Sequence, residues 1–454
     1  MKILIKGAGD LATGIASRLY HCGHKVLMTE IEVPLAVRRM VSLSRAVYEG
    51  RAEVEDMEGV LVSSMEEAGL VFEKGDIPVI VDPDARIRDV FCPDVIIDAI
   101  LAKRNLGTSI TDAPFVIGVG PGFTAGRDCH CVIETKRGHT LGDVIYKGSA
   151  LPNTAVPGEI GGFSKERLIR ASSDGIIHPV ASIGDVVSKG QVVAMTGDKE
   201  VSAAMSGIIR GMLQTDVYVT EGMKIGDIDA RCEEFHCFTI SDKARAVGGG
   251  VLEAVTRFEH MRRKYAMVVL AAGQSLRFGE NKLLADIKGN SLYNITLKRM
   301  KAFQAFPQFI VTGYSKIRQA AEDQKMTVIM NDRPEDGISR SIRLGLERCL
   351  EEFPDIQGIM FLVCDQPELE ESTIQRILNA ASVHKGQIIS AACENNPGNP
   401  VLFDRSFFEE LQHLTGDNGG RSIMHKVSDR VRYVDAASCE LTDIDKKTDI
   451  PDFM

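Results

Sequence analysis

No apolar run in the 454 residues approaches the ~18 that a membrane span requires. Basic charge is not in excess either. Acidic residues number 63 against 53 basic ones, a net charge of −10, which argues against nucleic acid as a partner while leaving nucleotides open. The opening residues, Lys2-Ile3-Leu4-Ile5-Lys6-Gly7, lack the charged, apolar and small-residue regions of a signal peptide. The ten cysteines are thinly spread, as expected of reduced thiols. A cytoplasmic protein with no membrane partner is therefore expected. Tryptophan is absent and glycine reaches 42, so tight turns and close backbone approaches should be common. What is present is ordinary for a globular chain, 44% apolar and 26% charged residues, and the length suits about three domains.

The first segment reads as strand, glycine turn and helix: residues 2–6, then Gly7-Ala-Gly9-Asp10-Leu-Ala12, then Ile15 onward. Gly7 permits a tight turn, Gly9 lets a diphosphate approach the backbone, and the small Ala12 lets helix and strand pack closely. A second strand, Lys25–Thr29, ends at Glu30, 21 residues beyond Gly9, where an acid suits ribose hydroxyls. Gly7, Gly9, Asp10, Ala12 and Glu30 are thus candidates to bind NAD(P) or another nucleotide. The alternative is an α/β domain that keeps the turn and binds nothing. Arg38 and Arg39 are near enough to serve a phosphate, but solvated surface arginines are the simpler reading. Cys129-His-Cys131 with two nearby histidines could hold a metal, but structural zinc usually uses a two-residue gap and a second pair, so apolar-facing cysteines beside an exposed, binding-type loop are expected.

Residues 170–232 hold an imperfect repeat, in which Gly175–Gly190 is echoed by Gly207–Gly222. Each copy reads as short strands broken by turns, and two copies closing on each other make a small β-sandwich. This resembles the barrel-sandwich hybrid of biotinyl and lipoyl carriers. Lys199 sits near the carriers' modified lysine but without its methionine-flanked setting, so no modification is expected. Residues 240–264 read as a helix capped by Ser241. Gly248, Gly249 and Gly250 fall inside it at a cost of about 1 kcal/mol each against alanine, which points to a close backbone, a ligand or a break.

The sharpest signal follows the strand Met267–Leu270, in Leu270-Ala271-Ala272-Gly273-Gln-Ser275-Leu-Arg277-Phe-Gly279-Glu-Asn-Lys282. Backbone N–H groups of such a loop hold phosphate oxygens, while Arg277 and Lys282 supply cations to a triphosphate and its developing charge. Gly337, Ser339 and Ser341 end a polar stretch, from Asn331, that precedes a helix and suits recognition of a base or ribose. Asp365 ends the strand Gly358–Cys364, where α/β ligands bind, and is a natural Mg2+ ligand. Asp443 and Asp445 read alone as turn and capping residues, but with Asp365 they could complete the metal site, Asp445 offering the second carboxylate.

Residues 266–454 resemble the MobA-like nucleotidyltransferases, specifically the molybdopterin cytidylyltransferase branch. The matching elements are the Leu270–Lys282 loop, Cys364-Asp-Gln-Pro367, Gly398-Asn399-Pro400, Gly416-Asp417-Asn-Gly-Gly-Arg421 and Asp443-Ile-Asp445. Phe278, Asn399 and Lys446-Lys-Thr448 depart from the family pattern. The resemblance implies CTP as substrate, through Ala271-Ala-Gly, and molybdopterin cofactor as acceptor, held by Gly398, Asn399, Pro400, Asp417 and Arg421. Residues 1–262 resemble the YqeB-type accessory proteins of selenium-dependent molybdenum hydroxylase systems. The elements are Lys6-Gly-Ala-Gly-Asp-Leu-Ala12, Met28-Thr-Glu30, Gly120–Gly126 and Lys243–Gly250.

The expected fold is α/β in four parts. Residues 1–165 would form a Rossmann-like domain and 166–236 an unmodified barrel-sandwich hybrid. Residues 237–264 would be a helical linker packing on the first domain, and 265–454 a Rossmann-like nucleotidyltransferase domain. The two resemblances together imply a molybdenum cofactor maturation factor that serves a client molybdenum hydroxylase. Catalysis would rest on Arg277, Lys282 and Asp365, with Asp365 and Asp445 on Mg2+. Cytidylyl transfer to another small phosphate, an NAD(P)-dependent oxidoreductase and a non-catalytic delivery scaffold are the alternatives.

Overall fold

Strand β1 (Lys2–Lys6) buries Ile3 and Ile5 on one face and Leu4 on the other, as a central strand of a largely parallel sheet must. The computed structural model describes residues 1–152, 162–262, 264–275, 278, 281–287, 289–394 and 396–449. It forms two compact units, Met1–Ala254 and Val255–Met454.

In the N-terminal unit β1 is followed by helix α1 (Asp10–His21) and strand β2 (Lys25–Glu30) within a nine-stranded sheet. In spatial order the strands are Arg51–Val54, Met57–Val62, Ile77–Val81, β2, β1, Val95–Asp98, Phe115–Val119, Cys131–Ile133 and Val144–Ile145. All pairs are parallel except the hairpin at each edge. The chain leaves β1 toward β2 and later returns to the other side of β1. The topological switch point therefore lies between β1 and Val95–Asp98.

Two four-stranded sheets follow, and the sequence repeat explains their pairing. Gly175–Pro179 and Val192–Thr196 of the first copy lie in one sheet, and its short Val186–Val187 crosses to the other. The second copy does the reverse, with Gly207–Met212 and Lys224–Asp229 in the other sheet and Tyr218–Val219 crossing back. Lys199 stands exposed at a hairpin turn between Val192–Thr196 and Lys199–Ser202.

Asp229, at the end of this segment, is fully buried yet ionised. Burial pushes its carboxyl up, but the Arg231 guanidinium at 2.6 Å and neighbouring Arg210 outweigh that and hold it at about 2. A depressed carboxyl contributes stability above its unfolded value of 3.8, and that contribution is lost as pH falls through about 2. Denaturant unfolding at stepped pH should show stability dropping between pH 4 and pH 2. Asp229→Asn should flatten that part of the profile.

Helix α2 (Asp242–Arg262) is unbroken through its three glycines, and Ser241 Oγ accepts the N–H of Ala244 at 3.2 Å. The close neighbour is backbone. A Cβ on Gly248 would lie 2.6 Å from the carbonyl oxygen of Gly14 in α1, and one on Gly250 would collide with that of Gly142. Gly249 faces open space.

The C-terminal unit is built on a seven-stranded sheet. Its order is Thr327–Met330, Gln308–Thr312, β3 (Tyr265–Ala271), β4 (Gly358–Val363), β5 (Asn396–Asp404), Ile388–Cys393 and Val431–Asp435. The first four strands are parallel, and β5 runs against both neighbours. Here too the chain moves to one side of β3 and returns on the other, so the switch point lies between β3 and β4. Helix α3 (Ile338–Glu352) packs Ile342, Leu346 and Cys349 against Val268, Val311 and Phe361.

Candidate active site

Two cavities open at the carboxyl ends of β3 and β4. The larger, about 490 Å³, is lined by Leu270, Ala272, Gly273, Ser275, Lys282 and Asp365 with Gly337, Ser341, Asp417 and Asp445. The second, about 350 Å³, is lined by Gly398, Asn399, Asp417 and Arg421 with Gln366, Asp443 and the apolar Ile342, Phe361, Phe403 and Met424. Leu270, Ile338 and Asp417 border both.

The first cavity's charge centre is Lys282. Its ammonium donates to Asp365 Oδ2 at 2.7 Å and to Asp445 Oδ1 at 2.9 Å. Burial works against the charge, but the two carboxylates outweigh it and hold the lysine above its ordinary value. Asp365 Oδ1 is buried without a hydrogen-bond partner. An orphaned carboxylate oxygen beside a second carboxylate fits a hard divalent cation, which takes one or two carboxylates and completes its shell with phosphate oxygens. Among the described residues no cluster of three His, Cys, Asp or Glu side chains is placed to hold a metal alone.

The strip carrying Asp445 is held by its middle residue. Ile444 is buried with Phe278 and Leu292, and its N–H donates to the carbonyl of Asp365 at 2.9 Å. The flanking acids point apart, Asp445 toward the larger cavity and Asp443 toward the smaller. Burial and the nearby Asp365 charge push the Asp443 carboxyl up, and it accepts from Gln366 Nε2 at 2.9 Å. Phe278, a departure from the family pattern, anchors the loop here.

Other expected residues divide. Gly337 takes φ +82° before α3, and a Cβ there would collide with Gly416. Ser341 Oγ accepts from Asn331 Nδ2 at 3.0 Å at the cavity wall. Arg421 donates to the carbonyl of Pro397 at 2.7 Å. Ala271, Ser339 and Pro400 are buried and do not line either cavity, so they shape it from behind. Arg277 and Gly279 lie outside the described residues. Sequence reasoning missed Gln366 in the second cavity, and it grouped Asp443 with the metal-site carboxylates although Asp443 lines the second cavity instead. It also missed Tyr314, whose hydroxyl donates to the carbonyl of Gly273 at 2.9 Å and steadies the loop.

The N-terminal candidates are arranged differently from expectation. Glu30 turns back on the glycine turn: Oε2 accepts the N–H of Ala8 and Oε1 that of Ile31, both at 2.9 Å. Asp10 puts a carboxylate into the first turn of α1, paired with Arg38 at 3.1 Å. Gly7 takes φ +94°, Gly9 caps α1, and Ala12 is buried. With an acid in the helix's first turn and the other acid engaged by backbone, this donor set does not fit a dinucleotide diphosphate laid on the turn. Arg38 is not the solvated surface residue expected, because its side chain is 9% exposed and bound at both ends. Cys129 and Cys131 are buried, which pushes the Cys129 thiol up to about 12. His130 Nδ1 accepts the N–H of Val116.

A switch point with a glycine loop, a lysine and a strand-end aspartate is the equipment of nucleotide transfer. Residues 267–431 match the MobA-like NTP transferase domain, so the C-terminal unit carries a nucleotidyltransferase domain. The chain is 48% identical over 268 residues to YqeB of Escherichia coli (strain K12), a match covering 59% of this chain and only half of YqeB's length. It is 29% identical over 122 residues to a probable molybdenum cofactor guanylyltransferase of Bacillus cereus (strain ATCC 10987 / NRS 248), covering 26% of this chain and 58% of that protein. Among solved structures it is similar to Rv0371c of Mycobacterium tuberculosis H37Rv, with 26% identity, 41% of this chain and 94% of that chain covered, and a TM-score of 0.35.

Proposed function

We propose that the C-terminal unit transfers CMP from CTP to the terminal phosphate of molybdopterin cofactor. A phosphate oxygen of the acceptor bonds to the α-phosphorus, the bond to the α,β-bridging oxygen breaks, and pyrophosphate leaves with that electron pair. No protein nucleophile is required; alignment and charge neutralisation carry the reaction. In this reading Lys282, with Arg277, neutralises the triphosphate. Asp365 and Asp445 would hold Mg2+, which when bound supplies further neutralisation of the phosphate oxygens.

The single observation that carries the reading is the pair of cavities meeting at Leu270, Ile338 and Asp417, one with Lys282 and Asp365, the other with aromatic walls. The apolar Phe361, Phe403 and Met424 suit a flat pterin ring better than a small polyol phosphate. The N-terminal strand order and the crossed sheets support a Rossmann-like domain and a barrel-sandwich hybrid, joined by a helical linker. Together the parts are read as a cytoplasmic maturation factor for a client molybdenum hydroxylase. The Bacillus relative's name sets GTP beside CTP as a nucleotide to test.

The test is pyrophosphate release with Mg2+, molybdenum cofactor and each of CTP, GTP and ATP in turn. Release with CTP, dependent on the cofactor, is expected. Release with GTP alone would reverse the nucleotide assignment, and binding of CTP without release would favour a delivery scaffold.

A further inference from the structure

The smaller cavity of the C-terminal unit carries hydrogen-bond acceptors that the described residues leave unmet. Gln366 follows the end of β4 and is 1% exposed. Two acceptors fix which way its amide is turned. Nε2 donates to Asp443 Oδ1 at 2.9 Å and to the carbonyl of Leu441 at 3.4 Å. The other end of the amide, Oε1, is then buried without a hydrogen-bond partner. Leaving a buried amide oxygen without a donor is costly, and such atoms are uncommon unless a ligand or a water meets them. Gln366, Asp443 and Leu441 all line the smaller cavity.

Asp443 adds a charge beside that amide. Its carboxylate accepts from Gln366 and, among the described residues, has no cation within ion-pair distance. Arg421 is the one cation in the cavity wall among those residues, and it donates to the carbonyl of Pro397 at 2.7 Å. Much of the remaining wall is apolar. Phe361 and Phe403 stand edge to face with ring centres 6.1 Å apart, and Met424 joins them. A carboxylate and an amide oxygen accept hydrogen bonds and cannot donate them. This wall therefore suits a flat ring that presents neighbouring N–H groups along one edge. A volume of about 350 Å³ is enough for a fused bicyclic ring.

We propose that Gln366 and Asp443 select the acceptor by one edge of its ring, Gln366 Oε1 and the Asp443 carboxylate accepting the amino N–H and the adjacent ring N–H of a 2-amino-4-oxopteridine. The inference rests on the pterin-linked acceptor proposed above and adds the edge by which that ring is chosen. Neither residue lines the larger cavity, so the role is recognition and not phosphate chemistry. A ring with oxygen in place of the amino group would set an acceptor against two acceptors. A site built to bond an N–H group rejects the analogue lacking it far more strongly than an apolar pocket rejects a change of size.

Equilibrium dialysis of the full chain against pterin and against lumazine, its 2-oxo counterpart, tests this without turnover. The wild-type chain should hold pterin at least about tenfold more tightly than lumazine. Asp443→Asn, whose amide can donate to the 2-oxygen, should weaken pterin at least about tenfold and bring the two ligands to within about threefold of each other. Gln366→Met removes Oε1 and should weaken pterin likewise. Asp443 is exposed, so Asp443→Asn keeps the test informative if the buried variant fails to fold. No pterin binding, no preference in the wild-type chain, or an unchanged preference in Asp443→Asn overturns the proposal. Cofactor-dependent pyrophosphate release judges the transfer reading separately. Release by a chain whose preference is unchanged in Asp443→Asn would overturn the recognition role and leave the pterin-linked acceptor standing.

Discussion

Asp365→Asn is expected to slow nucleotidyl transfer by about 10²–10³-fold, the loss typical of removing one preorganised charge-stabilising group. The substitution keeps the side chain's size and leaves β4 intact, so the fold should survive. What it removes is the strand-end charge that holds Lys282 at 2.7 Å and, through its orphaned Oδ1, the better part of a divalent-cation site. Lys282 would fall back on Asp445 alone. Steady-state pyrophosphate release measures the effect, with thermal unfolding as the control for folding. Activity within tenfold of wild type would remove Asp365 from the reaction.

A second large effect is expected in α2, and adjacent positions should respond with opposite signs. Gly250→Ala places a methyl group into the carbonyl of Gly142, and the backbones must part to admit it. Overpacking of this kind costs about 1–3 kcal/mol and occasionally more. Gly249→Ala meets nothing within 4 Å, and should stabilise the helix by up to about 1 kcal/mol. Thermal unfolding of the two variants should move the N-terminal unit's transition down for the first and up for the second. Equal shifts in the same direction would mean that helix propensity, not the close approach to Gly142, governs this segment.

The residues that were legible are those whose role is local in the chain. The Leu270–Gly273 loop, the strand-end Asp365 and the Gly7–Gly9 turn all announce themselves within a dozen residues, because a strand, a turn and a helix start have local chemistry. Roles set by distant partners were not legible. Lys282 reads as a phosphate ligand from its loop, but its neighbours Asp365 and Asp445 are brought to it across 83 and 163 residues. Arg38 reads as surface because nothing near it in sequence explains burial; its acceptors His236 and Thr239 lie some 200 residues on. Glu30 has the right spacing for a ribose, yet spacing does not reveal that the N–H of Ala8 needs an acceptor. The triple glycine of α2 carried a legible signal of close approach, but which backbone approached was fixed only by the fold.

The strip from Asp443 to Asp445 is a wall that the two cavities share. Its outer residues belong to different cavities, and its middle residue is clamped between Phe278 and the carbonyl of Asp365. One stretch of backbone therefore cannot be ordered for one ligand and left loose for the other. Whichever ligand arrives first removes conformational freedom that the second no longer has to remove. Nucleotide and acceptor should favour each other's binding by a single heterotropic factor, the same in either order of addition.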